Sequence, residues 1–216
     1  MPGSTPGTLA HGVALGLLLM AGCAPGRTHD HEPAASRPAP VDGAAVSRTA
    51  LPATWPDRAS APFGLAAPGG PVAIGVRLDG ARPVGGRWTD DDLRFPGALG
   101  AGTELRLRPR LDGIEDVVAF AHAPDREQVN YDLDVSAVAG LRLVDRTVEF
   151  LDAGGAPRLR MEPPYIVGAD GQVAQADVEL GCAHDASPVA PWGRAVVAPG
   201  AGECRLTVSW AGRGVS

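Results

Sequence analysis

From about residue 71 onward, apolar and polar residues alternate through most of the chain, the period of strands with one buried face. In Val72-Ala73-Ile74-Gly75-Val76-Arg77-Leu78 the pattern sets Val72, Ile74, Val76 and Leu78 on one side. Leu105 and Leu107 oppose Glu104, Arg106 and Arg108, and Val129, Tyr131, Leu133 and Val135 oppose Gln128, Asn130, Asp132 and Asp134. Shorter runs follow at 141–144, 147–151 and 157–161, and alternation returns over 173–180 and 204–210. Turn residues punctuate these runs, and no segment carries a sustained 3.6-residue period. The nearest helical signal is a single turn at Thr89-Asp90-Asp91-Asp92-Leu93, with Thr89 as its cap. The pattern predicts an all-β domain over 71–216, an antiparallel β-sandwich or open barrel.

The amino-terminal part reads differently. Residues 12–22 form an unbroken apolar run, too short for a membrane-spanning helix, which needs about 20 residues, and the right length for a signal-peptide core. It ends at Cys23. From Ala24 to about Gly70 eight prolines are scattered among Ala and Ser with no apolar period. Such a stretch predicts a disordered, extended tether over 23–70, behind a signal peptide over 1–22. Within the tether, His29-Asp30-His31-Glu32 offers metal-ligand types, but four adjacent residues on a flexible strand do not converge on one ion, and no metal is expected.

Met20-Ala21-Gly22-Cys23 resembles the lipobox of bacterial lipoproteins, in which a peptidase cuts before the cysteine and the sulfur takes a diacylglycerol. The resemblance implies lipidation at Cys23 and a membrane partner reached through the anchor. Ala24 after the cysteine is similar to outer-membrane sorting. The departure is the absence of Lys or Arg before the apolar run; the first is Arg27.

Cys182 and Cys204 share the parity of the core-facing sets Ala176, Val178, Leu180 and Leu206, Val208, Trp210. In an exported chain two core-facing cysteines at strand ends predict a disulfide. Trp192 and Arg194 lie in the loop it would enclose, where a tryptophan beside an arginine is an expected partner contact or a plug for the end of the sandwich.

Phrases from Leu133-Asp134-Val135-Ser136 through Pro163-Pro164-Tyr165 to Pro191-Trp192-Gly193-Arg194 resemble the β-rich region that precedes FG-GAP (integrin-like propeller) repeats in large secreted bacterial proteins. The likeness covers about residues 115–210. It implies an extracellular all-β module and carries no catalytic residue across. No propeller repeat follows here, which implies the leading module alone, a natural short form or a truncated, non-functional fragment.

Composition then narrows the chemistry. All 19 basic residues are arginine, so no lysine exists for a Schiff base or a phosphate loop. With a net charge of −6 and 5% aromatic residues, nucleic acid is not an expected partner. Gly-x-Ser-x-Gly is absent, and so is an Asp-x-Asp-x-Asp-Gly calcium loop. The remaining candidates are His122 near Asp125, His184 beside Asp185, the strand pair Asp132 and Asp134, and the cluster Asp90-Asp91-Asp92. No catalytic residue and no cofactor is assigned. The expected protein is lipid-anchored in the envelope, at the outer membrane, with a non-catalytic β-module that binds an envelope protein or polysaccharide or serves structurally. The alternative is a secreted envelope hydrolase built on an unrecognised carboxylate or histidine site.

Overall fold

Inward-facing apolar rows from two antiparallel sheets meet in one core. The computed structural model describes residues 13–21 (as backbone), 51–89, 92–187 and 194–213. Cys23, Trp192, the 29–32 group, Asp90 and Asp91 lie outside these residues, as does most of the expected signal peptide and tether.

In chain order the strands are β1 (Val13–Ala21), β2 (Ala53–Thr54), β3 (Phe63–Ala66), β4 (Ala73–Leu78), β5 (Arg87–Trp88), β6 (Leu93–Pro96), β7 (Thr103–Arg110) and β8 (Gly113–Phe120). There follow β9 (Gln128–Asp134), β10 (Gly140–Val144), β11 (Thr147–Leu151), β12 (Pro157–Met161), β13 (Tyr165–Val167), β14 (Val173–Gln175), β15 (Asp177–Leu180) and β16 (Glu203–Ser209). The larger sheet runs β10-β11-β12-β1-β8-β7-β6-β5, with β13 also on β1 and β14 on β13. The smaller runs β15-β16-β9-β4-β3-β2.

The alternation read from the sequence decides which side chains enter the core. In the smaller sheet, Phe63 and Leu65, Ile74 and Val76, Tyr131 and Leu133, and Leu206 and Val208 are buried. From the larger sheet Phe95, Leu105, Leu107, Ile114, Val118, Phe150 and Leu159 join the same cluster. Phe120 and Trp210 bring the sheets together with ring centroids 6.3 Å apart. An antiparallel β-sandwich results.

The fold departs from the sequence reading in three places. Leu51, Ala59, Phe63, Leu65 and Ala67 are core residues, so the ordered sheet starts inside the stretch whose prolines suggested a tether. Pro52, Pro56, Pro62 and Pro68 fall outside strands β2 and β3, where a missing N–H costs no ladder bond. Thr89 caps no helix; its amide and hydroxyl both donate to the Asp92 carbonyl, at 2.8 and 3.0 Å, closing the β5–β6 hairpin. Val13–Ala21, in the apolar run, is a strand of the larger sheet, paired with β8 on one side and with β12 and β13 on the other.

The β10–β11 hairpin closes between Val144 and Thr147 on Asp145 and Arg146, with Asp145 at φ 53°. Aspartate tolerates this left-handed backbone better than most residues.

Candidate functional site: a charged sheet face and an exposed tryptophan pair

Strand register sends Arg94, Glu104, Arg106, Arg108, Glu115, Arg160, Glu149 and Arg142 to the outer face of the larger sheet, away from the core. The polar residues of β6, β7 and β8 form one ionic group there. Arg108 donates to Asp92 Oδ1 at 3.0 Å and to Glu115 Oε2 at 3.1 Å. The hydrogen bond to Asp92 holds the Arg108 guanidinium above its ordinary pKa. Tyr165 on β13 donates its hydroxyl to Glu115 Oε1 at 2.7 Å. Burial and then that carboxylate push the Tyr165 phenol up to about 12.

A second group lies across β10–β12. Arg142 and Glu149 are both buried and joined at 2.8 Å, and Arg160 donates to the other Glu149 oxygen at 3.1 Å. Beyond the β10 edge, Asp185 stands 3.9 Å from Arg142 and is hydrogen-bonded to Arg194. Arg194 also donates to the Ser187 carbonyl at 3.2 Å. One of the two residues expected to contact a partner thus also ties down the segment after Cys182. Cys182 and Cys204 form the expected disulfide, with Cα atoms 5.3 Å apart.

The candidate catalytic groups are placed as follows. Asp132, on the outer face of the smaller sheet, accepts from Arg77 at 2.6 Å and from Arg205 at 3.1 Å. Asp134 accepts from the Ser136 hydroxyl at 2.6 Å and its amide at 3.0 Å, which holds the carboxyl below its ordinary pKa. The two acids are neighbours in register, each committed to its own local partners. His184 bonds through Nδ1 to the Cys182 carbonyl at 2.8 Å, while Asp185 turns to the arginines. His122 lines a shallow depression of about 400 Å³ with Phe120, Asp125 and Arg126. Among the described residues no three His, Cys, Asp or Glu side chains converge as metal ligands would.

Two features escaped the sequence reading. Asp116 and Tyr131 are fully buried between the sheets and hydrogen-bonded to each other at 2.7 Å. Trp55 and Trp88 meet edge to face with centroids 5.2 Å apart, and Trp88, on the end strand of the larger sheet, is 44% exposed. Paired turn-flanking tryptophans are legible in the sequence only as isolated residues, because their contact depends on bringing residue 55 beside residue 88.

Chemically, the outer face presents charges answered within the chain, while Trp88 offers apolar area to an outside molecule. The strongly perturbed acid, Asp116, is sealed in the core and out of reach of a substrate. Comparison with family models, with curated proteins and with solved structures finds no match.

Proposed function

We propose that this chain is a lipid-anchored protein of the bacterial cell envelope, held at the outer membrane through Cys23 and displaying a β-sandwich that binds or braces without turnover. The observation that carries the reading is Met20-Ala21-Gly22-Cys23 closing an unbroken apolar run. The thiol is the only group there able to take a thioether, and two small residues admit a peptidase.

Other features support it. The Cys182–Cys204 disulfide suits an oxidising compartment outside the cytosol. Exposed Trp88 over Trp55 has the character of a contact anchor, and Trp192 beside Arg194 remains a candidate for a second. The partner class is an envelope protein or polysaccharide. The module corresponds in this reading to the β-rich region that precedes integrin-like propellers in secreted bacterial proteins.

The experiment is fractionation of cells producing the wild-type chain and Cys23→Ser, with intact mass of the membrane-bound form. The wild-type should partition with membranes and begin at an acylated Cys23, and the variant should not. Equal membrane retention of both, without added acyl mass, defeats the reading.

A further inference from the structure

β1 completes the larger sheet from far away in sequence. On one side its residues pair with β8 in eight consecutive steps, from Val13 opposite Phe120 to Met20 opposite Gly113. On the other, residues 14–16 pair with β13 and residues 19–21 with β12. Without β1 the sheet falls into three parts, β5–β8, β10–β12 and β13–β14, with no ladder among the described residues joining them. All three would then expose unpaired backbone along edges that belong to one core.

β1 satisfies this slot in backbone but not in pattern. Its row on the inner side, Leu15, Leu17 and Leu19, stands opposite Val118, Asp116 and Ile114. Its alternate positions fall on the charged outer face, where register sets Leu18 opposite Glu115 and Met20 opposite Arg160. Every other strand at the centre of that face carries polar residues there: Arg106 and Arg108 on β7, Glu115 on β8, Arg160 on β12, Glu149 on β11. A strand apolar at all nine positions reads as an occupant suited to the ladder and the core side only. The same nine residues lie within the segment 1–22 that the proposed function removes before Cys23.

We propose that the slot between β8 and β12–β13 is a strand-acceptor site. The leader fills it in the precursor. After leader removal it takes an extended segment of a partner polypeptide, at least eight residues long, apolar at alternate positions and polar at those facing Glu115 and Arg160. Main-chain bonds to two flanking strands supply affinity, and the alternate rows supply selectivity. The inference rests on the proposed removal of residues 1–22.

The test uses the full chain with a protease site placed just after Cys23, cut in the folded state. The probe is a labelled peptide of residues 13–21 carrying Leu18→Arg and Met20→Glu, with a control of the same composition shifted by one residue so that its apolar row faces outward. After cutting, the labelled peptide should displace the leader fragment and the control should not. Amides of β8 should exchange roughly tenfold or more faster once the fragment is stripped, and return to protection with the peptide. Three outcomes overturn the proposal: β8 amides that stay protected with the slot empty, protection that appears only as the chain dimerises, and no entry of the peptide. Separately, finding residues 1–22 still attached to the protein in cells defeats the lipoprotein reading while leaving the exchange result to stand.

Discussion

Tyr131 on β9 and Asp116 on β8 are bolted together across the sandwich: the phenol donates to Asp116 Oδ2 at 2.7 Å, and neither side chain has measurable exposure. The second carboxyl oxygen has no partner. An ionised carboxylate with one donor in a dry core is costly, so the group holds its proton instead. Burial pushes Asp116 up to about 7 against the pull of the Tyr131 hydrogen bond, and burial likewise pushes the Tyr131 phenol upward.

Stability should therefore carry a component that declines with rising pH. Below about 3.8 both folded and unfolded Asp116 are protonated, and the full contribution is present. Between there and about 7 the unfolded chain releases the proton while the folded one keeps it, so raising the pH favours unfolding. The loss is on the order of 4 kcal/mol and levels off above the folded value. Asp116→Asn lacks the titration. Urea midpoints of both proteins from about pH 4 to about pH 8 should show the variant gaining on the wild-type through this window; a constant difference would mean that the carboxyl is not held neutral in the core.

Glu149 separates a buried from a half-exposed arginine at one carboxylate. The Arg142 side chain is 5% exposed and that of Arg160 is 38% exposed. Arg142→Ala removes the buried cation and leaves Glu149 to half-exposed Arg160 alone, which should cost about 1.5–3 kcal/mol. Arg160→Ala leaves Arg142 in place and should cost about 1 kcal/mol or less. Chemical denaturation of the two variants checks the ratio, and equal losses would show that burial does not set the worth of this pair.

Where alternation was clean, the fold could be read ahead of the structure. Val72, Ile74, Val76 and Leu78 are all core residues, as are Val129, Tyr131, Leu133 and Val135. The disulfide followed from the same parity. β8 was missed because Ile114-Glu115-Asp116-Val117 sets two acids side by side, the look of a turn, whereas the strand sends Glu115 to Arg108 and Asp116 to Tyr131. Arg108 faces Glu115 only once the β7–β8 hairpin is paired, and Tyr131 reaches Asp116 from the other sheet, so neither acid's partner shows before the strands are assembled. For the same reason the Trp55–Trp88 contact could not be foreseen. Residues 51–67 were hidden by composition, since proline density reads as extended chain until the two short strands between the prolines find β4.

The Cys182–Cys204 bridge closes a loop with a sequence separation of 22 that holds Asp185 and Arg194 beside Arg142. Reduction, or Cys182→Ala with Cys204→Ala, should lower stability by about 3 kcal/mol through the freed unfolded chain. The Asp185–Arg194 contact adds a local readout. Amides of residues 183–187 should lose hydrogen-exchange protection before those of β9, because β9 is held by ladders to β4 and β16. Simultaneous loss in both would show that the bridge supports the whole sheet and not the loop alone.

Whether the domain begins near residue 51 or residue 71 turns on Phe63 and Leu65. Each is 2% exposed, and they pair in register with Val76 and Ile74 on β4. If 51–70 were a tether, truncating either side chain would leave stability unchanged, since an extended solvated chain loses nothing by it. With both in the sandwich, Phe63→Ala should cost about 3–5 kcal/mol and Leu65→Ala about 2–5 kcal/mol. Trp55 supplies a contrast in the same stretch: it packs on half-exposed Trp88, so Trp55→Ala should cost less than either, about 1–2 kcal/mol. Equilibrium unfolding of the three variants in the full chain orders them. A flat result at Phe63 and Leu65 would remove β2 and β3 from the fold, and with them the closure of the smaller sheet on that side.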